Sequence, residues 1–110
     1  MAVVIIEEKI TPEQVALASE EYGEYVKVVV DIEKGFLAAG GEWHADAERV
    51  LLERGSKQEF LWGGGINLVK KKIDFVSLIN MRPKVSNSQE VMAQAIRDMM
   101  EAVIRRTFEL

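Results

Sequence analysis

The sequence predicts an α+β fold in two layers, with a mainly antiparallel sheet of four to five strands, helices on one face, and the order β-α-β-β-α-β-β-α. Three observations lead there. Strand-length β-branched runs alternate with short apolar-periodic stretches bounded by capping residues and glycines. Tight polar turns join successive strands, which makes neighbours antiparallel. A chain of 110 residues, 48% hydrophobic and 29% charged, is a single domain over residues 1–110 with a core of its own.

The elements follow in order. Ala2 to Ile6 is β-branched and reads as a first strand. TPEQ then signals a helix: Thr11 caps, Pro12 suits the first helical position, and Gln14 can reach back, giving a helix from about Pro12 to Tyr22 before Gly23. Tyr25 to Ile32 carries valines on both faces, as a central strand covered by helices should. Glu33, Lys34 and Gly35 turn the chain into Phe36 to Ala39, and Gly40 with Gly41 stop it. AERVLLERG gives a short second helix ending at Gly55. Lys57 to Leu68 reads as a strand in which Gly63, Gly64 and Gly65 signal a bulge or a close backbone approach. Lys70 to Lys72 form a polar turn, Ile73 to Met81 resume as a strand, and a last helix runs from about Ser88 to Phe108. Its apolar positions recur every four residues, a stripe that winds about 40° per step and is wider than one sheet face needs. The stripe reads first as the main core helix lying across a twisted sheet; the alternative is that its Met-rich part, Met92, Met99 and Met100, partly faces a second subunit of a homo-oligomer formed through the C-terminal helix.

Composition excludes several functions. With 14 basic against 18 acidic residues the net charge is −4, which opposes binding to phosphate backbones, so nucleic acid is not an expected partner. The absence of cysteine removes disulfides, zinc–thiolate sites and thiol nucleophiles. AVVII is too short for a signal-peptide core and no window reaches the length of a membrane span, so a cytoplasmic protein with no membrane partner is expected.

EWHADAE contains the chain's one histidine, with Glu42, His44, Asp46 and Glu48 at every second position. As a strand it would project all four from one face, an oxygen-rich set suited to a divalent cation. As a helix start near Ala45, His44 or Asp46 caps, and Asp46 and Glu48 sit in a first turn that favours negative charge. Alanine at 45 and 47 and the helical VLLER favour the second reading. No metal and no cofactor is therefore expected, and His44, with Glu42 or Asp46, remains the candidate acid/base centre.

Two other groups bear on ligand binding. In IDFVSLINMRP, period-two alternation places Asn80 and Arg82 on one face with Asp74, where the guanidinium fork suits an anionic ligand. The alternative is local pairing of Arg82 and a turn held by Asn80. Trp62, beside three glycines, either walls a pocket or is a core residue. Those glycines match neither the dinucleotide fingerprint nor the phosphate loop.

The strings VVDIEKGFLAAGGEWHADAE, LLERGSKQEFLWG and SLINMRP resemble a family of small bacterial proteins known only as a domain of unknown function, over about Val26 to Pro83. The resemblance implies the same small stand-alone fold and no particular activity. The function expected from the residues is a non-enzymatic module that binds a small polar or anionic ligand or assembles as a homodimer. The alternative is a small enzyme using His44 as general acid or base, with Arg82 and Asn80 holding an anionic substrate.

Overall fold

A computed structural model describes residues 2–110. Five strands form one antiparallel sheet: β1 (Val3–Ile6), β2 (Tyr25–Asp31), β3 (Phe36–Gly40), β4 (Leu61–Asn67) and β5 (Lys72–Asp74), ordered β1-β3-β2-β4-β5. Three α-helices accompany them, α1 (Pro12–Ala18), α2 (His44–Glu53) and α3 (Gln94–Phe108). The α+β class, the antiparallel pairing and the order of elements are those the sequence predicts.

The expected single helical layer is corrected, because helices cover both faces of the sheet. The register shows why. Val30 pairs with Leu37 and Trp62, and these join Val28, Ala39, Met100, Val103 and Ile104 in one cluster under α3, which also takes in Ala18 of α1. Val29 pairs with Ala38 and Gly63, and the opposite cluster of Val29, Phe36, Ala38 and Leu61 is closed by Ala47 and Leu51 of α2. A strand apolar on both faces must be covered on both, so the valines of β2 require a helix on each side.

Local chemistry sets the ends. Thr11 Oγ1 accepts from the Gln14 amide at 3.2 Å and Gln14 Oε1 accepts from the Thr11 amide at 2.9 Å, the reciprocal cap the sequence signals. α1 ends at Ala18 rather than Tyr22, where the Ser19 hydroxyl donates back to the Val15 carbonyl at 2.7 Å. Gly40 needs its φ of +100°, and a Cβ there would collide with the Ala2 carbonyl and stand 3.1 Å from the Ala18 Cα.

β4 has no bulge: all seven of its residues pair in unbroken register with β2. The other half of the expectation, close backbone approach, is what the glycines provide, since a Cβ on Gly64 would run into the Asp74 carbonyl of β5. The expected strand over 73–81 is also shorter. β5 stops at Asp74, Val76 makes a single bridge to Glu90, and a 3₁₀ turn takes Leu78–Asn80. Residues 89–91 run antiparallel beside it, with the Val91 amide donating to the Phe75 carbonyl and the Ser77 amide to the Gln89 carbonyl. That pairing keeps 89–91 out of the helix, and α3 begins at Gln94.

Candidate functional site

On the α2 face the apolar cover runs out partway along the sheet. α2 lies over Val29, Ala38 and Leu61, while the same face of β2 continues as Lys27 and Tyr25. There a cleft of about 540 Å³ opens between the first turn of α2 and residues 76–79, a size ordinary for small-molecule sites. Trp43, Val76, Leu78 and Ile79 give it apolar walls, and Tyr25, Lys27, His44, Asp74 and Ser77 bring polar groups.

The glycines of β4 make this arrangement possible. A Cβ at Gly63 would stand 2.6 Å from the Ser77 Cβ and 3.1 Å from the His44 ring, and one at Gly65 would land on the Tyr25 hydroxyl. Three cleft side chains thus occupy space that any larger residue in β4 would claim.

His44 is the first residue of α2, after Trp43 in extended conformation. Asp46 reaches back from the first turn to accept from the Trp43 amide at 3.0 Å, which fixes where the helix begins. From that position the imidazole Nε2 lies 2.6 Å from the Gly64 carbonyl oxygen. A carbonyl can only accept, so Nε2 carries the hydrogen and Nδ1 is the basic nitrogen of the neutral ring. Burial pushes the His44 pKa below its usual value, the Gly64 hydrogen bond opposes that, Lys27 lowers it further and Asp74 raises it. The net effect is downward, so the ring is neutral at pH 7.

The opposite wall is a coupled pair. The Tyr25 hydroxyl donates to Asp74 Oδ2 at 2.7 Å, and Asp74 Oδ1 accepts from the Val76 amide at 3.1 Å. Burial raises the Tyr25 pKa most, followed by that hydrogen bond and the Asp74 charge, so Tyr25 stays a phenol. Lys27 supplies the cleft's cation. Its ammonium sits 4.9 Å from the Tyr22 ring centre and 5.4 Å from that of Trp43. Among the described residues no carboxylate lies within ion-pair distance of it.

Residues 4–107 match the model of a family described as protein of unknown function (DUF5674). The chain belongs to this family. All residues that line the cleft fall within the matched span. No curated protein and no solved structure matches the chain.

The structure scatters the residues singled out from the sequence of this family member. Glu42 is exposed, and its backbone carbonyl accepts from the Tyr22 hydroxyl at 2.8 Å. Asp46 caps α2. Glu48 Oε2 is buried with no hydrogen-bond partner among the described residues. These carboxylates do not gather around His44: no cluster of three or more metal-ligating side chains exists among the described residues. Asn80 is fully buried beneath the cleft, where Oδ1 accepts from the Gly63 amide at 2.8 Å and Nδ2 donates to the Gly63 and Gln89 carbonyls, each at 2.9 Å. Its amide is committed to backbone.

Arg82 faces elsewhere. Its guanidinium stacks 4.2 Å above the Trp62 ring and donates to the Leu61 carbonyl, and it lines a separate hollow with Met81 and Lys84. Trp62 belongs to the core under α3. Of the candidates, then, only His44 opens into the cleft. Tyr25 and Lys27 are not among the residues the sequence singles out; their one visible signal is a polar residue at alternate positions of an otherwise valine-rich strand.

Proposed function

We propose that this protein is a small-molecule binding module whose site is the cleft between the start of α2 and residues 76–79. The observation that carries the reading is convergence. One apolar cleft of about 540 Å³ collects a neutral imidazole, a hydrogen-bonded Tyr25–Asp74 pair and an ammonium with no ion-pair partner among the described residues. Such a mixture, mostly apolar with few placed polar groups, is the usual make-up of a ligand site.

The test is a thermal-shift screen of small polar and anionic compounds on the wild type and on Ala45→Trp, which obstructs the cleft from an exposed position in the first turn of α2. A ligand at a hundred times its Kd stabilises by about 2.7 kcal/mol, a shift of several degrees. The reading predicts shifts that Ala45→Trp abolishes. Shifts that survive the substitution contradict it.

A second reading, a small enzyme, rests on His44 alone. With the proton held on Nε2 by Gly64, the unprotonated Nδ1 is a base at neutral pH. Lys27 would take the anion-holding role expected of Arg82. Turnover lost in His44→Gln while binding persists would support it. The assembly reading has less beneath it: Met100 is buried, Met92 precedes α3, and Met99, 42% exposed, is the large apolar residue that helix leaves open.

A further inference from the structure

The charges of the cleft are unequally satisfied, and the difference selects a ligand class. Asp74 is spoken for on both oxygens, by the Tyr25 hydroxyl and the Val76 amide. Lys27 is held only by ring faces, with no carboxylate at ion-pair distance among the described residues. Two rings fix where the ammonium sits, and Tyr22 is itself anchored through its hydroxyl to the Glu42 carbonyl at 2.8 Å. A positioned cation with open hydrogen-bonding capacity favours an anion, because its three donors cannot be satisfied by π-faces.

The walls decide the rest of the ligand. Trp43 is 58% exposed and Leu78 64%, so each offers a large apolar surface at the mouth of the cleft. Val76 and Ile79 extend the same wall. An inorganic anion would leave that surface wet, whereas an apolar body attached to the anion would cover it and gain in proportion to the apolar area buried.

We infer, on the reading that the cleft is a ligand site, that it takes a small carboxylate with an apolar or aromatic body. The carboxylate pairs with Lys27, and the body lies against Trp43, Leu78, Val76 and Ile79. His44 and the Tyr25 hydroxyl face the ligand as neutral groups, so neither adds a competing charge. An amine ligand would have to approach Asp74 while facing Lys27, a like-charge contact that disfavours it.

The experiment is isothermal titration of the full chain with three probes of one shape: phenylacetate, 2-phenylethanol and phenethylamine. Phenylacetate should bind about tenfold more tightly than the alcohol, with an affinity that falls as sodium chloride is raised. Lys27→Met should remove that preference, and Lys27→Arg should keep most of it. Equal or tighter binding of the alcohol or the amine overturns the carboxylate assignment and leaves the binding reading standing. Binding of none of the three overturns the assignment and weighs against the binding reading as well. The ranking on the wild type decides between these outcomes even where a Lys27 variant does not fold.

Discussion

The two faces of the sheet are built from the same strands and finished differently. Under α3, Val28, Val30, Leu37, Met100 and Ile104 are completely buried and close against one another. On the other face α2 covers Val29, Ala38 and Leu61, and beyond its first turn the sheet presents Tyr25, Lys27 and a glycine strand instead of a core. The first face holds the fold. The second is where polar groups are held close to apolar walls, and β4 serves both by carrying Trp62 and Ile66 toward α3 and Gly63 and Gly65 toward the cleft.

The contrast can be broken from the α3 side first. Ile104→Ala should cost about 2–5 kcal/mol in urea unfolding and leave ligand affinity unchanged in the folded fraction. A cost below 1 kcal/mol would mean that this face is not the packed one. Asn80→Ala should cost about 2–3 kcal/mol, because it strands the buried amide and carbonyl of Gly63 without partners. A neutral result there would remove Asn80 as the support of the cleft floor.

The third test is pH. Since burial holds the folded-state pKa of His44 below the unfolded value, the unfolded chain binds the extra proton first as pH falls. The stability linked to His44 is therefore whole above the unfolded pKa of about 6.5 and is lost as pH drops toward the folded pKa. Urea titrations of wild type and His44→Gln from pH 7.5 downward should diverge in that window, with the wild type losing stability more steeply. Parallel curves would place the imidazole in water. The smallest effect belongs to Leu78→Ala, within about 0.5 kcal/mol in stability because the side chain is mostly exposed, but with weakened binding of any cleft ligand.

Much of the fold is legible because its signals are local. TPEQ writes a capping box and the turns through Gly35 and Gly55 follow from residue type, whereas the expectation of helices on one face fails against the valines of β2, which need cover on both. The cleft is less legible because it depends on where a strand stops. Period-two alternation over 73–81 groups Asn80 and Arg82 with Asp74, and that grouping holds only while the backbone stays extended. The 3₁₀ turn at Leu78–Asn80 rotates the pattern, sending Asn80 beneath β4 and Arg82 onto Trp62. Its cause is long-range: Ser77 pairs with Gln89 and caps the turn through the Ile79 amide at 3.2 Å, contacts that no short window of sequence contains. His44 was visible because it is alone of its kind. Tyr25 and Lys27 lie in a strand whose valines signal core, which masks their place at the cleft.

Amide chemical-shift mapping during titration with phenylacetate tests the central claim, that the two faces divide stability from binding. The account predicts perturbations at His44, Gly63, Gly64, Gly65, Val76 and Leu78, with Met100, Val103, Ile104 and Thr107 still. Perturbations centred on α3 or on the 82–87 turn, or none at saturating probe, would contradict it.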